Sequence, residues 1–309
     1  MKVSTAEVAF RGQALLGESP VWDDIGGRLL WVDVLRGEIH VADVSSGQEW
    51  VGRAGCSVGA VALCAGSGIV LAAGDGFGLV EDLPDGRGVA SSLMEISWLW
   101  RVGNEDPFDR GPCGLSLRMN DAKCDSAGRL WGGTMTVDRL AGACKLYRLN
   151  QDRSVQPVVE GVTLSNGLAW SPDDRTMYYI DTPHRRIDTF KFDVEAGSLE
   201  GREVFIRFEE GCGNPDGMTV DSEGCVWVAL ARGGMVRRYS PKGVLDLTLE
   251  VPTHKITSCT FGGKDLDVLF VTSACVGLSE SELRDEPLAG SVFAYDVGVS
   301  GSPASRYAK

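Results

Sequence analysis

Four segments of the sequence begin with an oxygen-bearing polar residue just ahead of an apolar run. Glu18 precedes "SPVWDDIGG", Asn120 precedes "DAKCDSAGR", Asn166 precedes "GLAWSPDDR", and Asp216 precedes "GMTVDSEGC". Carboxylate and amide oxygens are hard ligands that suit Ca²⁺, Mg²⁺ or Mn²⁺, and two carboxylates balance the charge of one divalent cation. If the four residues meet in space, they predict a metal site. The alternative interpretation is that each one only caps a turn, as Asn and Asp commonly do.

Other metal chemistry is weakly indicated. The chain has three histidines, His40, His184 and His254, and no two of them have the spacing of a zinc motif. Its nine cysteines are an odd number without a CxxC pair. Free and mostly buried thiols in a cytosolic protein are the expected state.

The elements that would position these residues form a repeat. Six segments share an apolar strand, a turn rich in Asp, Gly or Ser, and a second strand that often carries Trp or Tyr. Aligned at Pro20, Ala60, Ala122, Gly167, Gly217 and Ser258, they recur after about 40 to 62 residues. Propeller blades of four strands recur at roughly 40 to 50 residues. We therefore expect an all-β protein, one six-bladed β-propeller domain over residues 1–309. Two stacked β-sandwiches are the rival and explain the period less well.

In a propeller the first strand of each blade lines the central channel. Residues at the start of that strand converge on the axis even when they are far apart in the chain. Glu18, Asn120, Asn166 and Asp216 lie one or two residues before the alignment points. The propeller therefore predicts that the four side chains share one ring at a channel mouth.

One repeat is oversized because of the segment from Met94 to Leu117. This segment carries Trp98, Trp100 and Phe108 among charged and glycine residues. A long loop inside a compact domain is often a lid or a binding loop. It could equally be a solvated insertion whose tryptophans pack on the blade beneath, or an interface with another chain.

Composition excludes several classes of partner. The formal net charge is -13 over 309 residues, 43% of them hydrophobic, so nucleic acid and anionic membranes are poor partners. The N-terminal segment lacks the apolar core of a signal peptide, and no run of apolar residues is long enough to span a membrane. We expect a cytoplasmic protein; its oligomeric state stays open.

Five motifs together resemble the SMP-30/gluconolactonase/luciferin-regenerating-enzyme (regucalcin-like) family. They are "LGESPVWDD", "RMNDAKCDSAGRLWGGTM", "SNGLAWSPDD", "NPDGMTVD" and "TSCTFGGKDLDVLFVTSA", and the resemblance extends from Leu16 to about Gly301. It implies one divalent metal ion, of uncertain identity among Ca, Zn, Mn and Mg, with the ligands Glu18, Asn166 and Asp216. It also implies substrate contacts from Arg118, Asn120 and Asp138, and Asp216 as the catalytic base.

The activity that the resemblance implies is a metal-dependent lactonase of carbohydrate metabolism, which hydrolyses a sugar (aldono-) lactone to the aldonic acid. Ser19 and Ala122 stand where glycine is common in the family, which leaves the ligand set intact. The segment before Arg118 leaves the choice of lactone open. Alternatives on the same scaffold are another lactone, ester or organophosphate hydrolase, or a calcium-binding regulatory propeller without activity. Whether Asp216 or acidification of water by the ion provides the base also stays open.

Overall fold

The computed structural model describes residues 5–81, 93–102 and 117–309. Their strands form six antiparallel sheets of four strands each, which confirms the predicted six-bladed β-propeller. The first three blades comprise β2 (Gly17–Asp23), β3 (Arg28–Asp33), β4 (Glu38–Asp43) and β5 (Gln48–Arg53); β6 (Val58–Leu63), β7 (Ile69–Ala73), β8 (Gly76–Val80) and β9 (Ser97–Arg101); and β10 (Leu117–Cys124), β11 (Leu130–Thr136), β12 (Cys144–Leu149) and β13 (Val155–Val162).

The last three blades follow in the same order along the chain. They comprise β14 (Ser165–Trp170), β15 (Thr176–Asp181), β16 (Arg186–Asp193) and β17 (Ser198–Arg207); β18 (Asn214–Val220), β19 (Val226–Ala231), β20 (Met235–Tyr239) and β21 (Leu245–Glu250); and β22 (Ile256–Gly262), β23 (Val268–Ser273) and β24 (Val292–Asp296). A short helix, α1 (Glu280–Asp285), lies between β23 and β24. Among the described residues, no helix is long and apolar enough to cross a membrane.

The sixth blade takes its outer strand from the other end of the chain. Strand β1 (Glu7–Phe10) pairs antiparallel with β24, with Glu7 opposite Ala294. The repeat pattern did not predict this strand, because it stands outside the six repeated units. The pairing joins the first blade to the last and closes the ring by backbone hydrogen bonds.

The first strands of the six blades surround the axis. Each of β2, β6, β10, β14, β18 and β22 contacts the first strand of the blade before and the blade after it, and β22 returns to β2. The core consists of the layers between neighbouring sheets, where apolar side chains of successive blades pack together. The starts of the six first strands therefore open at one mouth of the channel, and their ends at the other.

The second strands of two blades each carry a buried tryptophan that is hydrogen-bonded to an aspartate of the same hairpin. Trp131 and Trp227 are fully buried, and each indole Nε1 donates to the carboxylate six residues earlier, Asp125 or Asp221, over 2.8 Å. A buried indole needs a partner for its N–H group. The repeated spacing in "DSAGRLW" and "DSEGCVW" supplies that partner inside the same hairpin.

The C-terminal segment crosses the second mouth of the channel. Gly301 pairs with Asp221 of the fifth blade, whereas Tyr307 is bound to Leu63 of the second. A cavity of about 280 Å³ lies between this segment and the channel, lined by side chains that include Lys123, Trp170 and Ser302. The predicted metal residues lie at the other mouth.

The segment from Met94 to Leu117 is not one inserted loop. Ser97–Arg101 form β9, the outer strand of the second blade, so the loop interpretation is wrong for these residues. Trp100 packs on Phe77 and Tyr147, with ring centroids 5.7 and 4.7 Å away. Its apolar surface anchors the outer strand, as expected if the tryptophans pack on the blade beneath. Phe108 and the rest of residues 103–116 lie outside the described residues.

Candidate active site

Every first strand has an irregularity where the candidate site residues lie. The antiparallel register between first and second strand shifts at Glu18/Val21 in β2, at Met119/Ala122 in β10, at Asn166/Leu168 in β14 and at Pro215/Met218 in β18. Bulges of this kind bend a strand and redirect a side chain. Each of the four bulges adds one extra residue to the first strand at this level.

Glycine follows Asn166 and Asp216 because neighbouring first strands approach each other closely there. A Cβ atom on Gly167 would lie 2.6 Å from the backbone oxygen of Asp216, and one on Gly217 would lie 2.1 Å from Oγ of Ser258. Neither position has room for a side chain. The "NG" and "DG" pairs of the sequence thus mark contact points between blades at the channel mouth.

A hydrogen-bonded chain joins three blades across the mouth. Nη1 of Arg118 donates to Oδ1 of Asn120 over 2.9 Å, and Nδ2 of Asn120 donates to Oδ1 of Asn166 over 2.8 Å. Nδ2 of Asn166 donates to Oγ1 of Thr182 over 2.8 Å, and that hydroxyl donates to the backbone oxygen of Pro215 over 2.9 Å. The chain therefore ends on the residue before Asp216.

Two backbone carbonyls fix the orientation of both amides in this chain. Nδ2 of Asn120 also donates to the backbone oxygen of Ser165 over 2.7 Å, so the atom at that place must be the amide nitrogen. At the other end, the carbonyl of Pro215 requires the proton of Thr182, so the hydroxyl must accept from Asn166. Asn166 consequently turns its oxygen, rather than its nitrogen, toward Asn120.

Three carboxylates lie at the same mouth, and the positive charges of Arg118, Arg139 and Lys123 act on them without forming an ion pair among the described residues. Within the described part of the chain, Glu18, Asp121 and Asp216 form no ion pair with Lys or Arg, and all three are partly buried. Burial raises the pKa of Glu18 and of Asp216 well above the usual value, and negative neighbours raise it further: Asp216 and Asp121 act on Glu18, and Asp121 acts on Asp216. Burial raises the pKa of Asp121 to about 6.

The three carboxylates fit a divalent cation by the chemistry of their donors. Charged carboxylates that converge in a partly buried site repel each other, and a bound cation relieves that repulsion. Oxygen atoms of Glu18 and Asp216, together with the fixed amide oxygen of Asn166, make a hard donor set. The arrangement thus supports the predicted ligands at the level of donor chemistry.

Lys123 forms a floor beneath this mouth. Its Nζ, on the first strand of the third blade, donates to the backbone oxygen of Met218 on the fifth blade over 2.6 Å. The side chain therefore reaches past the fourth blade, and it also lines the cavity toward the second mouth. Burial lowers the pKa of Lys123, and the negative charge of Asp121 opposes that change.

Two further buried carboxylates hold the loops that lead into ligand strands. Asp33 accepts from the backbone nitrogens of Leu15 and Leu16, just before Glu18. Asp181 accepts from those of Thr163 and Leu164, just before Asn166. Both aspartates are the last residue of the second strand of their blade. The same arrangement therefore positions two of the candidate ligands.

Ser19 adopts a conformation that explains why glycine suits its position. Its φ of 48° lies in the left-handed region, which costs a serine more than a glycine. The buried hydroxyl of Ser19 accepts from the backbone nitrogen of Val61 over 3.2 Å, which ties the first blade to the second. Glu18 keeps its place because its Oε2 accepts from the nitrogen of Ser19 over 3.0 Å.

Asp138 lies apart from this network. It is exposed in the loop after β11, and that loop adjoins the site because Leu117 pairs with Thr136 and Arg118 with Met135. A substrate contact from Asp138 stays a prediction. Asp121, Lys123 and Thr182 were missed in the sequence analysis, although Asp121 stands in the quoted "RMND" motif. In a regular strand it would point away from Asn120, and only the bulge places both at the mouth.

A second acidic group lies at the other end of the fifth blade. Ligand atoms of Asp221, Glu223 and Cys225 lie within 4.8 Å of one another. Asp221 already accepts from Nε1 of Trp227 and from Nε of Arg238, each over 2.8 Å. Because this charge is neutralised and its oxygens are used, the group is a structural cluster rather than a metal site.

The fold and the carboxylate site define a six-bladed propeller with a polar channel mouth. The family model of the SMP-30/gluconolactonase/LRE-like region matches residues 16–275, and the chain belongs to that family. It is 36% identical over 293 residues to a putative sugar lactone lactonase of Bacillus subtilis, with 94% of each chain covered. It is 35% identical over 301 residues to a pentonolactonase of Haloferax volcanii, again with 94% of each covered.

A solved structure is similar over the whole chain. The calcium-binding protein regucalcin of Agrobacterium tumefaciens superposes with a TM-score of 0.88 at 28% identity, covering 99% of this chain and 98% of that one. This similarity agrees with the six-bladed arrangement.

Proposed function

We propose that the protein is a lactonase that hydrolyses a sugar lactone to the aldonic acid with the help of one divalent cation. The observation that carries this proposal is a set of carboxylates that form no ion pair among the described residues, beside an amide whose oxygen is fixed. Relatives named as a sugar lactone lactonase and a pentonolactonase support the reaction class. The structural neighbour named as a calcium-binding protein supports a divalent ion.

Glu18, Asn166 and Asp216 would hold the ion at the channel mouth. When bound there, a cation would supply Lewis-acid chemistry to the lactone carbonyl. Glu18 is held by the backbone nitrogen of Ser19, and Asn166 by Asn120 and Thr182. Two of the three proposed ligands are thus held in place by the protein itself.

Arg118 recognises the substrate in this proposal. Two bonds from its Nη1 are used, to Asn120 and to the backbone oxygen of Met119, whereas a guanidinium has five N–H donors. Within the described part of the chain, Nη2 and Nε have no partner and would be free to bind the hydroxyl and ester oxygens of a lactone. Both amide hydrogens of Asn120 are engaged, so its contribution is to hold Arg118 in place. Asp138, on the adjoining loop, would accept from a sugar hydroxyl.

Two carboxylates can accept the proton of the attacking water. Asp216 is the residue that the family resemblance implies, but binding a cation lowers the pKa of a carboxylate and weakens it as a base. Asp121 is the second candidate, since burial raises its pKa to about 6, close to the value that suits a general base. Separate Asp→Asn variants of the two residues distinguish them.

A panel of lactones tests the function. Apoprotein prepared by chelation is assayed with five- and six-membered aldonolactones, simple esters and an organophosphate, each with and without Ca²⁺, Mn²⁺, Zn²⁺ or Mg²⁺. We expect turnover of aldonolactones only with metal. Full activity in protein shown to be metal-free would contradict the metal role. Metal binding without turnover of any substrate would favour the alternative of a calcium-binding regulatory propeller. The structural neighbour named as a calcium-binding protein is compatible with that alternative.

A further inference from the structure

Thr182 occupies a special place in the network at the channel mouth. It is the first residue after β15 and begins the 3-10 turn Thr182–His184. Its hydroxyl lies between two of the proposed ligands: it accepts from Nδ2 of Asn166 and donates to the backbone oxygen of Pro215, which precedes Asp216. A single side chain on the fourth blade therefore connects the ligand of its own blade with the ligand of the next.

The connection has a fixed direction. The Pro215 carbonyl accepts only, so the single hydroxyl proton of Thr182 is used there. The oxygen of Thr182 then offers only lone pairs to Asn166, so Asn166 must donate from its NH₂ group. An amide that points its nitrogen at Thr182 points its oxygen away from it, toward the channel and Asn120.

We propose that Thr182 is a positioning residue for Asn166 as a metal ligand, because together with Asn120 it fixes the amide oxygen toward the cation site. This inference rests on the proposed metal site. An amide nitrogen has no lone pair for a cation, so an Asn166 side chain in the reverse orientation would lose one ligand. Partners that orient the ligands of a metal site typically contribute 10- to 100-fold in affinity.

The turn itself is held independently of the hydroxyl. The backbone nitrogen of Thr182 donates to the oxygen of Leu164 over 3.1 Å, and Asp181 accepts from the nitrogens of Thr163 and Leu164. Replacing the hydroxyl by a methyl group thus leaves the backbone contacts of the turn in place. Thr182→Val is therefore expected to change ligand orientation more than stability.

The experiment measures metal affinity rather than activity. Apoprotein of the wild type, Thr182→Val and Thr182→Ser is titrated with Ca²⁺ and with Mn²⁺ by calorimetry, with the melting temperature of each apoprotein as a check on folding. We expect Kd to rise about 10- to 100-fold in Thr182→Val and to stay within about threefold of wild type in Thr182→Ser. Thr134→Val is the matched control, since its buried hydroxyl bonds to the backbone of Lys145 between β11 and β12. It should leave Kd unchanged.

A double-mutant cycle separates orientation from general support. Asn166→Asp presents an oxygen on either side, so removal of the hydroxyl should no longer matter for which atom faces the ion. In this background we expect Thr182→Val to change Kd by less than about threefold. An equal loss in both backgrounds would contradict the orientation role. If Thr182→Val fails to fold, Thr182→Ala in the same two backgrounds makes the comparison.

The outcomes distinguish this inference from the function on which it rests. A wild-type protein that binds metal while Thr182→Val binds it equally well overturns the role of Thr182 and leaves the metal site intact. A wild-type protein that binds no divalent cation overturns both. A lactonase that turns over without metal, together with metal binding that depends on Thr182, would keep the present inference and contradict the proposed mechanism.

Discussion

The carboxylates at the two mouths of the channel differ in whether they form ion pairs. At the first mouth, Glu18, Asp121 and Asp216 have no Lys or Arg in an ion pair within the described ranges. At the second mouth, Asp23, Asp125 and Asp221 close the ends of the same first strands, and each is paired with arginine. At the second mouth, arginine side chains balance the negative charges of the aspartates. At the first mouth, no ion pair within the described ranges does so.

The difference shows why proximity of acids alone does not identify a metal site. The cluster of Asp221, Glu223 and Cys225 is compact, but Arg238 supplies the positive charge that a cation would bring. The carboxylates of the first mouth do not form a group as compact as this one, but an amide oxygen of fixed orientation lies beside them. Unbalanced charge and fixed orientation are the better criteria.

The largest effect that we expect concerns the second mouth. Asp221→Asn would remove the buried partner of the Arg238 guanidinium, which is 6% exposed, and leave it only the exposed carboxylates of Glu223 and Asp246. Removing one member of a buried pair typically costs about 3 to 5 kcal/mol. Because two exposed partners remain, chemical denaturation of the apoprotein should show a loss near the lower end of this range, about 3 kcal/mol. Metal affinity should be unchanged in the fraction that is folded.

An effect of Asp221→Asn on metal affinity, rather than on stability, would contradict the difference between the two mouths. Weaker metal binding in Asp221→Asn with normal stability would make the acidic cluster a metal site. Asp125→Asn is the matched control, because Asp125 pairs with Arg129 and Trp131 in the same way. Both variants should behave alike.

The next effect concerns catalysis at the first mouth. Asp216→Asn keeps the size and one ligand oxygen of the side chain but removes its charge and basicity. If Asp216 activates water, kcat at saturating lactone and metal should fall by roughly 10² or more, about 2.7 kcal/mol in the barrier. The rate is measured across a metal titration with occupancy determined independently. A nearly normal kcat at full occupancy would leave Asp216 as a ligand alone.

The architecture was predictable because it is written as a repeat. Alternation of apolar strands with Asp- and Gly-rich turns gives the blade number and the level of Glu18, Asn166 and Asp216 on their strands. The bulges were not predictable, because nothing in "RMNDAK" marks where the pleat is interrupted. Asp121 was missed for that reason, since a regular strand would send it to the opposite face from Asn120.

Contacts between distant segments were equally hidden. In the sequence "IDTPH", Thr182 has the pattern of an ordinary turn. Its proposed positioning role depends on a hydrogen bond to the carbonyl of Pro215 on another blade. Likewise, Ser97–Arg101 read as part of a loop because charged and glycine residues surround it, whereas Trp100 gains a partner in Tyr147 of the third blade. Only the packing of neighbouring blades shows these relations.

A smaller effect is expected from removing one charge of the proposed ligand set. Glu18→Gln keeps an oxygen at the site but leaves one carboxylate fewer to balance the cation. A ligand that binds only the native state raises the melting temperature by mass action. The rise on adding Ca²⁺ should be clearly smaller in Glu18→Gln than in wild type. Glu49→Gln, a surface substitution beside His40 on the first blade, serves as control; an unchanged shift in Glu18→Gln would remove Glu18 from the site.

The smallest effect is a difference in the sign of pH dependence between the two mouths. Burial raises the pKa of Asp121 to about 6, from the 3.8 of an ordinary aspartate. Between these values the folded apoprotein holds a proton that the unfolded chain has lost, so this group makes stability fall as pH rises from about 4 through 6. At the second mouth burial is outweighed by hydrogen bonds from Arg306 and Arg28, which lower the pKa of Asp23. That group adds stability above its unfolded pKa, and the stability is lost as pH falls.

Asp121→Asn isolates the contribution of the first mouth. It removes one titrating group and one of the negative neighbours that raise the pKa of Glu18 and Asp216. Denaturation of the apoprotein between about pH 4 and 7, which includes the interval over which Asp121 titrates, should give a flatter profile than wild type. If Asp121 acts only through its charge, kcat with metal should change by less than about tenfold, short of the 10² or more that loss of a general base would cause. A larger loss of kcat, with metal affinity and stability preserved, would transfer the base from Asp216 to Asp121. An unchanged pH profile would show that the carboxylates of the first mouth are as well compensated as those of the second.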